Sequence, residues 1–128
     1  MVFINRGAAL WANAGGFQAV FGSGNSGNPS GWGFVISYAT SNTTDWFHLA
    51  FTGDGTTGRF YVNGVEETTA ALSSRSATVN TSTNPVRFGV RAGSANYNGK
   101  ITQPLLYDRG LTAAEVQQNY NATVNKFN

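Results

Sequence analysis

Six carboxylates and one histidine are the side chains with obvious chemistry to offer: Asp45, Asp54, Glu66, Glu67, Asp108, Glu115 and His48. Cleaving a glycosidic bond takes two facing carboxyl groups, about 5–5.5 Å apart for retention and about 6.5–9.5 Å for inversion. Glu66 and Glu67 are adjacent in 59-RFYVNGVEETT-69, and neighbours in a strand point to opposite faces. Asn63-Gly64 fits the two-residue turn of a hairpin, which makes the two glutamates polar outer positions of its second arm. Asp54 precedes a turn glycine, Asp45 and Asp108 fall in turns, and Glu115 reads as a helix cap. No pair remains for acid–base work. Nothing beside His48 in sequence supplies the nucleophile and orienting acid of a triad, so its expected role is a neutral ring in a local hydrogen bond. The expectation is a protein that is not an enzyme.

Binding chemistry has more support. Sugars offer apolar C–H faces and many hydroxyls, which suit an aromatic platform flanked by amide and backbone groups. In 93-GSANYNG-99, Tyr97 stands between Asn96 and Asn98; Trp32 follows a loop carrying Asn25 and Asn28, and Trp11 lies in a Gly/Ala/Asn-rich segment. The ordinary reading of these residues is core or edge plugs joined by turns; the chemical one is a glycan-binding rim at Trp32, Asn96, Tyr97 and Asn98. In 86-VRFGVR-91 the period of two puts Val86, Phe88 and Val90 on one face and Arg87 and Arg91 on the other. That basic stripe reads as a solvated face or a protein interface.

The elements that must position these residues are short strands. Sixteen glycines, nine Phe, five Tyr and three Trp in 128 residues indicate many strands and tight turns, hence an all-β chain forming one domain over residues 1–128. Strands are expected at 2–6, 17–22, 32–38, 46–52, 59–63, 65–70, 86–91 and 99–107. Both faces of 46-WFHLAFT-52 are apolar, which predicts a central strand covered on each side. Pro104 lacks a donor N–H, so 99–107 should lie at an edge or carry a bulge. One helix is signalled at 112–122, where Thr112 and Glu115 form a capping box and Val116 and Tyr120 share a face. There is no cysteine and the net charge is +2. Without a Lys/Arg cluster or a long apolar run, neither nucleic-acid binding nor membrane insertion is expected. No charged-then-apolar leader opens the chain.

The segments Trp46–Phe51, Gly58–Gly64, Val86–Gly89, Asn98–Ile101 and Leu106–Tyr120, in that order, resemble the concanavalin A-like lectin/glucanase superfamily. Within it they look most like the laminin G-like domains of bacterial surface and phage virion proteins. The resemblance spans about residues 30–122 and implies an antiparallel jelly-roll β-sandwich with one short C-terminal helix. Related domains hold calcium at a loop rim; the candidates here are Asp45, Asp54 and Asp108, and no other cofactor is implied. The family often has an acidic pair after the Gly-x-Ile step, where this chain has Thr102 and Gln103 followed by Pro104. It also usually has more strands before the Trp block than residues 1–31 supply, which suggests an edge completed by a neighbour. The closing Tyr-Asp-Arg-Gly-Leu-Thr-Ala-Ala-Glu-Val run resembles tailed-phage structural proteins. The implied function is a virion structural or decoration protein of a capsid, tail or fibre with a glycan-binding rim. Its partners would be other virion proteins or itself as a homo-oligomer, and a cell-surface glycan. The alternative is an extracellular carbohydrate-binding module, free-standing or cut from a bacterial surface protein.

Overall fold

The computed structural model describes residues 2–4, 8–13, 16–21, 34–40, 44–53, 57–71, 87–91 and 95–127. Along the chain run β1 (Val2–Ile4), β2 (Ala8–Asn13), β3 (Gly16–Phe21), β4 (Phe34–Ala39), β5 (Leu49–Gly53), β6 (Thr57–Val62), β7 (Val65–Ala71), β8 (Arg87–Phe88), β9 (Val90–Arg91), β10 (Ala95–Asn96) and helix α1 (Ala113–Thr123). Among these residues the strands form an antiparallel sheet β4-β3-β2-β1-β8, a second sheet β5-β6-β7 and a ribbon β9-β10. The two larger sheets pack as a sandwich. Phe17 from β3 and Tyr38 from β4 meet Phe60 and Val62 of β6, together with Phe47, Leu49 and Phe51. Phe17 and Phe47 touch edge to face, with centroids 5.0 Å apart.

β2 was not expected. Residues 7–16 are rich in Gly, Ala and Asn and have little strand propensity of their own, but pairing with β1 on one side and β3 on the other supplies it. Residues 1–31 therefore contribute three strands rather than two, and the shortfall against the family pattern shrinks accordingly.

β6 is the strand covered on both faces. Phe60 and Val62 share one face and Tyr61 takes the other, yet their exposures are 0, 3 and 1%. The expectation placed such a strand at 46–52. Instead β5 begins at Leu49 and is an edge of its sheet among the described residues. The apolar character of residues 46–48 serves contacts with the C-terminal segment: Trp46 lies 5.2 Å from Phe127 and His48 lies 5.8 Å from Tyr120, centroid to centroid.

The β6–β7 hairpin turns on Asn63 and Gly64, with φ of 52° and 81°, as a two-residue type I′ turn demands. Val62 pairs with Val65 and Tyr61 with Glu66, but Phe60 pairs with Thr68. Glu67 is thus the extra residue of a β-bulge. The expected simple divergence of Glu66 and Glu67 along a regular strand is interrupted there; both are exposed.

α1 starts where the capping box predicts. The Glu115 N–H donates to Thr112 Oγ1 at 3.3 Å, and the Thr112 N–H donates to Glu115 Oε2 at 2.8 Å. Arg109 adds a fork, with Nη1 and Nη2 donating to Oε2 and Oε1 at 3.0 and 2.6 Å. Val116 is the buried residue of the helix, and Gln117 packs against Gly64.

Two outcomes are expected. Gly64→Ala forces a side chain into the left-handed region and against Gln117, 2.8 Å from the new Cβ. It should lower the unfolding free energy by roughly 1–2 kcal/mol in urea denaturation. The Arg109 fork, followed by the Thr112 backbone and side chain, holds the Glu115 carboxyl at about 2 against an ordinary 4.5. A depressed folded pKa gives stability that is complete above about pH 4.5 and is lost as pH falls towards 2. Thermal unfolding between pH 5 and 2 should show that loss in the wild type and a flatter profile in Glu115→Gln.

Candidate functional site

The acids are dispersed. Asp45 accepts from the neighbouring Thr44 Oγ1 at 3.4 Å. Glu66 lies 4.0 Å from Arg59 Nε, a half-exposed pair at the limit of an ion pair. Glu115 is committed to the helix cap, and Asp108 is exposed just before it. Asp54 lies outside the described residues. Among the described residues, no three His, Cys, Asp or Glu side chains come together in a group able to hold a metal ion.

His48 sits at a junction. Its N–H donates to Asn63 Oδ1 at 3.0 Å and its carbonyl accepts the Asn63 N–H at 2.8 Å. These bonds continue the β5–β6 ladder to the turn and fix Asn63 in its left-handed conformation. The ring packs on Tyr120, its Nδ1 is buried without a hydrogen-bond partner, and burial lowers its pKa. The expectation was a neutral ring in a local hydrogen bond; at Nδ1 that bond is absent, and the bonds to Asn63 are made by the backbone.

The sugar candidates are only partly brought together. Asn96 ends β10 opposite Val90, and the Tyr97 N–H donates to the Gly89 carbonyl at 2.8 Å. The half-buried Tyr97 ring folds over Gly99, where a Cβ would lie 2.6 Å from ring carbon Cζ. One of its faces is therefore spent on its own loop, while Asn98 is exposed. Trp32 lies outside the described residues.

The basic stripe does not survive as drawn. Gly89, at φ 73°, breaks the strand expected at 86–91 and with it the period of two. Arg87 pairs with Phe3 of β1, whereas Arg91 pairs with Ala95 of β10 in a separate ribbon. Phe88, expected in the core, is 44% exposed, and Val86 lies outside the described residues.

The feature that sequence reasoning missed is the segment 101–110. A strand was expected at 99–107, lying at an edge or bulged at Pro104, but residues 97–112 belong to no strand or helix. Within this stretch Gln103 takes a φ of 45°, a costly conformation for a residue with a Cβ. Leu105, Leu106 and Tyr107 then stand 62, 62 and 45% exposed. The strap is fastened at its far end. Asn119 Nδ2 donates to Tyr107 Oη at 3.0 Å, Gly110 approaches the Gly53 carbonyl closely, and Arg109 grips Glu115. Leu105, Leu106 and Tyr107 thus form a run of three consecutive exposed large apolar side chains on an anchored backbone. The signal available in sequence was Pro-Leu-Leu-Tyr itself, a run that a proline keeps from pairing on both sides.

Comparison with known proteins agrees with this architecture. No curated protein matches the chain. A crystal structure of residues 221–444 of an S-layer domain-containing protein from Clostridium thermocellum is similar at 19% identity and a TM-score of 0.48. The likeness covers 92% of this chain, which spans only 65% of that structure's length. A laminin G family model, described as the Concanavalin A-like lectin/glucanases superfamily, matches residues 4–117. With nearly the whole sandwich and the start of α1 inside that match, the chain belongs to the concanavalin A-like lectin/glucanases superfamily as a laminin G-type domain.

Proposed function

We propose that this domain is a non-enzymatic assembly module, displayed on a virion as a decorating part of a capsid, tail or fibre. It packs through the strap 103–107 onto a neighbouring structural protein or a second copy of itself. The observation that carries the reading is the exposure of Leu105, Leu106 and Tyr107 on a backbone anchored by Asn119 and Gly110. Burying two leucines and a tyrosine against a partner is the kind of central apolar contact that dominates interface energetics. The dispersal of the described acids supports a role without catalysis. The closing segment Leu106–Tyr120, with its resemblance to tailed-phage structural proteins, favours a virion over a cell surface.

A glycan rim is the second reading, supported by the superfamily's lectin members and by the exposed Asn98 beside Tyr97. Its test is a glycan array with Tyr97→Ala. Loss of binding in that variant supports the rim, and binding indifferent to the change moves any sugar site elsewhere.

For the strap, the double variant Leu105→Asp/Leu106→Asp changes only exposed side chains, so its stability should stay within about 0.5 kcal/mol of wild type. Its self-association by native mass spectrometry, or its binding to phage particles, should weaken by roughly tenfold or more. Wild-type protein that stays monomeric at high concentration and ignores particles would overturn the assembly reading.

A further inference from the structure

His48 is the point at which three elements meet, and its ring is the titratable group buried there. Its backbone is bonded in both directions to Asn63, the next residue Gly64 carries Gln117 of α1 against it, and its ring lies 5.8 Å from that of Tyr120 at 55°. Among the described residues, the titratable group against the ring is the Tyr120 phenol from α1, while the Asn63 amide from the β6–β7 turn bonds the His48 backbone. No carboxylate or cation contributes to its ionisation, which burial alone governs. Asp45, three residues upstream, is exposed and bonded to Thr44. A protonated imidazole must donate from both nitrogens, and the buried Nδ1 has nothing to donate to.

We propose that His48 is an acid-sensitive latch on the C-terminal helix: protonating it loosens α1 from the β6–β7 turn while α1 itself stays helical. The two halves of this statement rest on separate groups. Docking depends on a neutral His48, so it is complete above the ordinary histidine value of 6.5 and weakens as pH falls below it. The helix start depends on Glu115, whose bonds to Arg109 and Thr112 persist well below pH 4.5. Between these windows α1 keeps its capped start while its hold on the β6–β7 turn is weakened.

Nuclear magnetic resonance on the intact protein tests this. The His48 ring protons are titrated from pH 8 to 4.5 while cross-relaxation to Tyr120, exchange of the Asn63 amide and the α1 carbon shifts are followed. As His48 protonates, cross-relaxation should vanish. Exchange of the Asn63 amide, corrected for intrinsic rate, should rise by about tenfold for each unit by which the histidine pKa is lowered. The α1 shifts should remain helical throughout. His48→Gln, which carries no titratable ring, should lose the acid response. The proposal fails if the contact and the Asn63 protection persist with His48 protonated, if α1 unfolds in the same step, or if His48→Gln responds to acid like wild type. Should that variant not fold, the wild-type coupling between ring titration and loss of the Tyr120 contact decides the matter.

Discussion

Everything else in this molecule depends on β6 being buried on both faces. A strand in a two-layer sandwich ordinarily needs only one apolar face. Here Phe60 and Val62 join the two sheets, while Tyr61, directly between them in sequence, is as completely covered on the other side. A buried phenol is demanding. The Thr52 and Glu66 side chains lie within hydrogen-bonding reach of the Tyr61 hydroxyl, and burial followed by the Glu66 charge raises its pKa. The last quarter of the chain reaches the ends of the β5–β6–β7 sheet at three points: Gly110 at Gly53, Gln117 at Gly64 and Tyr120 at His48.

That arrangement explains where the scarce charged residues went. Glu115 and Arg109 set the position and direction of α1 before it crosses the sheet. Glu66 and Arg59 flank the rim beside Tyr61. Among the described residues, these carboxylates are each engaged in a local contact that shapes the fold.

Much of this was legible in the chain wherever a local rule decides the outcome. Asn63-Gly64 can hardly be anything but a type I′ turn, and Thr112-x-x-Glu115 satisfies its own orphan donors; both appear as read. The misreadings share one physical cause, which is that pairing is non-local. β2 has an unpromising composition and exists because β1 and β3 flank it. The run 86–91 alternates perfectly, yet a left-handed Gly89 sends its halves to different sheets. The apolar 99–107 has no partner strand among the described residues, a property of its surroundings that its own letters cannot express. Of the candidate sites, the Asn96–Asn98 cluster was found by residue type, but whether the Tyr97 ring faces solvent or its own Gly99 is a matter of packing.

The bulge at Glu67 has a bearing on how this hairpin can vary in length. Tyr61 faces Glu66 and Phe60 faces Thr68, so removing Glu67 would leave a continuous ladder with each remaining partner unchanged. A one-residue deletion further along the arm, between Thr68 and Ala71, would instead change the register of the pairs between it and the bulge or beyond it. The hairpin thus contains one position where length drift is silent, set among neighbours where it is not. Single-residue gaps in related chains are expected to collect there.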